Sequence, residues 1–174
     1  IIITRKGNNV KNKNKIGLGL ITCNKQDRFE QSVARIPDGL DCFVVVNDGD
    51  PYPDRVYPKG CALIQHQRNK CVGISKNDAL RYMIDQDIDH LFLIEDDIII
   101  KDENVFEKYI EISKKTGIKH MMYGYHGPAN KRNGKPSPRK IVDYGDGISI
   151  ALNRHCVGAF TYYHRSCFEK VGLF

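Results

Sequence analysis

The chain has 174 residues, with 41% hydrophobic and 28% charged side chains, enough for one domain with a real core. The longest apolar run, around Leu91–Ile100, is cut by three acids, so no segment reaches the roughly 18 residues of a membrane helix. The net charge of +6 admits nucleic acid, anionic lipid or phosphorylated small molecules as partners.

The surplus charge is uneven. Arg5–Lys15 and Lys131–Lys140 each hold five Lys/Arg and no acid. Both can be read simply as solvated basic segments. Residues 1–15 form an Asn/Lys-rich lead-in. Ile16–Ile21 is a short apolar run with glycines, a first buried strand. Phe29, Val33 and Ile36 then fall at helical spacing, and Pro37-Asp-Gly39 closes that helix. Cys42–Val46 is β-branched and reads as a second buried strand. It runs into the turn signal Asn47-Asp-Gly-Asp50. Pro51–Lys59 carries three prolines and is expected to be a loop, with Ala62–Ile64 a short strand after it.

Ser75-Lys-Asn-Asp78 has the shape of a capping box and is expected to open a helix with Ala79, Leu80, Met83 and Ile84 on its apolar face. His90–Ile94 is a third buried strand. Asp102 is placed as the cap of a further helix whose stripe is Val105, Phe106, Tyr109 and Ile110, closed by Gly117. Ile118–Tyr125 reads as a strand, and His126–Arg139 as a Gly/Pro/Lys/Arg-rich loop. Ile141-Val142 and Ile148–Leu152 flank Tyr144-Gly-Asp-Gly147 as a hairpin. Val157–Tyr163 is a last strand, followed by a short helix over Arg165–Val171. Strands alternating with helices predict an α/β domain with a mostly parallel sheet covered on both faces, and a more antiparallel part towards the C-terminus.

Cys23, Cys42, Cys61, Cys71, Cys156 and Cys167 show no C-x-x-C pair and no zinc spacing with His120, His126 or His155. They read as buried free thiols of a reducing compartment.

Ligands of open α/β sheets bind at the carboxyl ends of the strands. Three polar clusters fall there: Thr22-Cys-Asn24, Asn47-Asp48 and Glu95-Asp96-Asp97. Adjacent carboxylates at a strand end suit a hard divalent cation, which would neutralise acids flanked by apolar runs and bridge a diphosphate. Asp48 could instead accept from a ring N–H of a base. Taken singly, each cluster is also ordinary turn or capping chemistry.

The ordered pieces resemble the nucleotide-sugar half of a family 2 glycosyltransferase of the GT-A fold. They are Gly17-Leu-Gly-Leu-Ile-Thr-Cys-Asn24, Val44-Val-Val-Asn-Asp-Gly49, Asn69-Lys-Cys-Val-Gly-Ile-Ser-Lys-Asn77 and Leu91-Phe-Leu-Ile-Glu-Asp-Asp-Ile98. The last is similar to the family's D-x-D segment. Val157–Phe174 resembles the acceptor-side strand and the helix leading to "GxF[DE]". The likeness spans Ile16–Phe174.

The resemblance implies a Rossmann-like three-layer GT-A sandwich and a metal-dependent inverting transfer from a UDP-sugar to a glycan hydroxyl, with surface polysaccharide as a plausible setting. Thr22 would line the uracil pocket, Asp48 would bond the base, and Asn24 would belong to the nucleotide-sugar site. Lys76, with Arg68 or Asn77, would sit near nucleotide and donor sugar. Asp96 would contact ribose or metal. Asp97, with Glu95, would ligate Mn2+ or Mg2+. Glu95 replaces the first Asp of the motif, which leaves open which of the first two acids touches the ribose. The acceptor-activating Asp or Glu of the family comes shortly after "GxF", so it is expected beyond Phe174. Glu169 reads as a surface residue. The domain is therefore expected to cover 16–174 and to continue past it. Cytoplasmic placement, with peripheral contact at the inner membrane face, and no specific nucleic acid partner complete the expectation. The alternatives are a catalytically incomplete nucleotide-sugar-binding domain and a nucleotidyltransferase. The second commonly carries a glycine-rich phosphate loop after the first strand, whereas Gly17 and Gly19 lie inside it.

Overall fold

The computed structural model describes residues 14–123, 130–155 and 158–173. Its centre is a six-stranded sheet in the order β3-β2-β1-β4-β10-β5. Strands β1 (Ile16–Thr22), β2 (Cys42–Asn47), β3 (Ala62–Gln65) and β4 (His90–Glu95) run parallel. β10 (Phe160–His164) is antiparallel to both β4 and β5 (His120–Met122). Two small hairpins stand apart from this sheet: β6 (Lys131–Arg132) with β7 (Lys135–Pro136), and β8 (Lys140–Asp143) with β9 (Ser149–Leu152). This is the α/β GT-A-like architecture that the strand–helix alternation and the resemblance predict.

The parallel strands are continuous apolar runs because both faces are covered. On one face Leu18, Leu20, Val45 and Phe92 pack with Phe29 of α1 (Gln26–Val33) and Phe106 and Ile110 of α3 (Val105–Thr116). On the other, Val44, Val46, Leu91 and Leu93 pack with Ala79, Leu80 and Met83 of α2 (Cys71–Asp85). The glycines of β1 let α2 approach this closely. A Cβ at Gly19 would stand 2.8 Å from the Ala79 Cβ, and one at Gly17 would stand 2.9 Å from Met83 Sδ.

Several boundaries differ from expectation. α1 stops at Val33, and Arg35 N–H and Ile36 N–H donate to Ser32 O and Val33 O in tight turns. Pro37 disfavours a helical residue before it, so the helix unwinds early. α2 begins at Cys71, four residues before the expected capping box. Ser75 is interior and buried, and its hydroxyl donates to Cys71 O, the back-bonding typical of a mid-helix serine. Asp78 turns to His66 and Arg81 instead of the helix end. Asp102 does not cap α3 either. It accepts from Asn104 N–H in a local turn and pairs with Lys108, and Asn104 holds the cap position. Gly117 ends α3 in the left-handed conformation as expected, with φ 75°.

The segment expected as one loop from His126 contains the β6–β7 hairpin, while 124–129 lie outside the described residues. α4 spans Ser166–Val171. The five described cysteines are free, but none is fully buried, because they sit at element ends and loops; Cys156, like the start of the Val157 strand and most of the basic lead-in, lies outside the described residues.

Candidate active site

Parallel pairing sets the carboxyl ends of β1, β2 and β4 at one level. Thr22 lies opposite Asn47, and Ile21 opposite Glu95. From β1 the chain order runs outward through β2 and β3 on one side, while β4 lies on the other, so the strand order reverses at β1. Crevices at such switch points bind ligands in open α/β sheets. A cleft of about 360 Å³ opens there, lined by Thr22, Asp48, Asn69, Cys71, Glu95 and Asp96 among others.

The three acids after β4 are accommodated in three ways. Glu95 accepts from Lys76 Nζ at 2.6 Å, and the same ammonium donates to Gly158 O at 2.8 Å. Asp96 Oδ2 accepts from Thr22 Oγ1 at 2.7 Å and from Cys23 N–H at 3.4 Å. Asp97 is exposed to solvent. The protein's own groups thus already hydrogen-bond the two inner acids. Burial pushes the Asp96 pKa up and the Asp97 charge adds to this, against the Thr22 and Cys23 hydrogen bonds.

Asp48 is 2% exposed. Its Oδ1 accepts from His66 Nδ1 at 2.6 Å and from Lys70 N–H at 2.8 Å. Burial alone would raise its pKa, but the Lys70 N–H and His66 outweigh it and hold the carboxyl below the ordinary value. It therefore stands as an acceptor-only group at neutral pH. The other ring nitrogen of His66 faces Asp78 Oδ2 at 3.0 Å. An Asp48–His66–Asp78 chain, buried at Asp48 and His66, thus ties the end of β2 through the end of β3 to α2.

Asn24 does not line the cleft. With φ 53° it turns its Oδ1 to Asp50 N–H at 2.7 Å, joining the loops after β1 and β2. Gly49 is required there, since a Cβ would lie 2.1 Å from Asn24 Oδ1. Arg68 is exposed and Asn77 is buried in α2, and neither lines the cleft. Asp97 stands beside the cleft in sequence but outside its lining. Sequence reading missed His66, Tyr52, Asn69 and Gly158. Tyr52 OH bonds Thr22 Oγ1 at 2.9 Å and accepts from Lys25 N–H at 2.8 Å. Asn69 Nδ2 donates to Asp48 O at 3.2 Å. His66 was findable by the same rule as Asp48, because it is the polar residue directly after a parallel strand. Gly158 was not, because its role depends on Lys76 reaching it across the fold.

Among the described residues no three His, Cys, Asp or Glu side chains are grouped as a ready metal cage. Magnesium and manganese sites often use one or two carboxylates and complete the shell with substrate phosphates and water. The hard oxygens of Glu95, Asp96 and Asp97 fit that chemistry, and both hydrogen bonds to Asp96 fall on the same oxygen.

No family model and no curated protein sequence matches the chain. Solved structures do. TarS 1-349 from S. aureus superposes with a TM-score of 0.62 at 14% identity, over 90% of this chain and 49% of that one. Mannosyltransferase PcManGT from Pyrobaculum calidifontis, in complex with GDP-Man and Mn2+, gives 0.61 at 14% identity, over 94% and 48%. A cytidylyltransferase from Leptospira borgpetersenii serovar Hardjo-bovis gives 0.54 at 10% identity, over 91% and 64%. The chain spans about half the length of the first two. At these identities the likeness establishes the fold alone, an α/β GT-A-like fold. Among the described residues no helix is long and apolar enough to cross a membrane.

Proposed function

We propose that this chain is the donor-binding part of a glycosyltransferase that uses a UDP-sugar with Mn2+ or Mg2+ and transfers the sugar, with inversion, to a glycan hydroxyl. The observation that carries the reading is the convergence of Thr22, Asp48, Glu95 and Asp96 on one cleft at the switch point of the sheet. Asp48, held as a carboxylate, accepts a ring N–H of the base, and Thr22 borders the same pocket. Asp96 reaches the ribose or the cation. Asp97 and Glu95 would hold the cation, which when bound withdraws charge from the leaving diphosphate. Lys76 adds a positive charge beside that diphosphate and keeps Glu95 in place. Glu169 is exposed on α4 and does not line the cleft, so the acceptor's general base is assigned to no described residue.

Calorimetric titration of UDP, with and without Mn2+, on wild type and Asp97→Asn tests this reading. Metal-dependent binding lost in Asp97→Asn is the expected result. Binding that ignores both metal and Asp97 would overturn it. UDP binding without turnover of any UDP-sugar would favour a donor-binding domain instead.

The nucleotidyltransferase reading is disfavoured by one observation. The glycines near the first strand serve packing against α2, and Thr22-Cys-Asn-Lys25 after it has no glycine to cradle a triphosphate. Metal-dependent turnover of a UDP-sugar rather than a nucleoside triphosphate discriminates the two.

A further inference from the structure

A second cavity, of about 350 Å³, lies between the β6–β7 hairpin and the segment after β9. Lys131, Arg132, Arg139 and Arg154 all line it, and among the described residues no carboxylate does. Among the described residues Arg132, Arg139 and Arg154 form no ion pair. The three guanidinium groups are exposed, and an anion entering the cavity would relieve the repulsion that water and salt leave between them. The backbone beneath them is fixed. Asn130 is 3% exposed, and its side chain donates to His155 O at 2.8 Å and accepts from His155 N–H at 3.2 Å. Arg139 N–H donates to Leu152 O at 2.7 Å.

The cavity is tethered close to the donor cleft. Arg154 precedes Gly158 by four residues, and Gly158 O accepts from the Lys76 ammonium that holds Glu95. Four residues span at most roughly 14 Å. That is the reach of a short oligosaccharide.

We infer that this basic cavity binds an oxyanion, phosphate or carboxylate, carried by the acceptor glycan. The inference rests on the glycosyltransferase reading and adds to it the charge class of the acceptor. Guanidinium groups match both oxyanions with paired N–H donors, more specifically than lysine does. Among the described residues no aromatic side chain lines the cavity, so none of them offers a base a stacking platform.

The test is titration with glucose 6-phosphate, glucuronate, glucose, inorganic phosphate and random-sequence RNA at low salt, followed by NMR of arginine Nε–H signals. UDP with Mn2+ is titrated in parallel. Glucose 6-phosphate and glucuronate are expected to bind at least tenfold tighter than glucose and to perturb arginine signals. Arg139→Gln/Arg154→Gln should remove that binding, and Arg139→Lys/Arg154→Lys should retain part of it. UDP affinity should change in neither variant, which also reports that both are folded. Equal binding of charged and neutral sugars overturns the inference. So does inorganic phosphate binding as tightly as glucose 6-phosphate, because the site then recognises a free ion. RNA binding tighter than either charged sugar and lost in the Gln variant assigns the cavity to nucleic acid and overturns it as well. If the charged sugars bind as expected but UDP does not, the donor reading fails and the anion site stands.

Discussion

At the scale of single residues, two buried histidines have opposite settings. His66 has a carboxylate at each ring nitrogen, Asp48 and Asp78. His90 is 2% exposed, with Nδ1 against Tyr162 OH at 2.9 Å and Nε2 without a hydrogen-bond partner among the described residues. Burial first, and then His164, Lys114 and Lys119, lower its pKa from 6.5 to about 4, with Asp89 opposing them. The unfolded chain therefore binds the proton more readily between those values, and the fold loses stability as pH falls through that window. At about 1.4 kcal/mol per pH decade the full loss is roughly 3 kcal/mol. His164 is shifted in the same direction by its own burial and adds to the slope. Urea midpoints measured from pH 7 to pH 4 should fall steadily in the wild type. They should fall less steeply in His90→Phe, whose neutral ring has no proton to gain. Equal slopes would mean that His90 is not the group being titrated.

At the scale of elements, β1 and α2 pack closely through the two glycines of β1. Gly19→Ala would place a methyl 2.8 Å from both the Ala79 Cβ and Leu93 Cδ2. The Ala79 Cβ cannot rotate away and the Leu93 methyl is fully buried in the core, so α2 must move off the sheet. Overpacking of this kind costs about 1–3 kcal/mol, to be read in chemical denaturation. α2 carries Lys76 and Asp78, so a shift of the helix should also weaken UDP binding. Unchanged stability would show that the helix has room.

The same elements show what the sequence makes legible. β1, β2 and β4 were readable because both their faces are buried, which leaves unbroken apolar runs with polar ends. Those polar ends are the cleft, so Thr22, Asp48, Glu95 and Asp96 could be placed from pattern alone. The start of α2 could not. Ser75 and Asp78 have cap-like spacing, but their hydrogen bonds are decided by Cys71 and by His66 from another element. Local spacing is blind to such partners. The contact of Asn24 was illegible for the same reason, because its partner Asp50 lies in a loop that only the pairing of β1 and β2 brings near.

At the scale of the whole molecule, the Lys76 ammonium joins the parallel half of the sheet to the antiparallel half. It contacts Glu95 at the end of β4 and the carbonyl of Gly158 just before β10. A Cβ at Gly158 would lie 2.6 Å from that ammonium. The atom displaced is the tip of a flexible chain, so Gly158→Ala should cost little stability. It should nevertheless drive the ammonium off the carbonyl and disturb its pairing with Glu95, leaving a less compensated carboxylate beside the cleft. Lys76→Met removes the same charge outright. Charge-assisted hydrogen bonds contribute about 1.5–3 kcal/mol, so Lys76→Met should weaken UDP–Mn2+ binding by roughly tenfold to a hundredfold, and Gly158→Ala by less. Because both substitutions act through one ammonium, the double variant should bind no worse than Lys76→Met alone. Additive losses in that cycle would mean that Gly158 acts on the cleft by a route other than Lys76, and that the two halves of the sheet are coupled elsewhere.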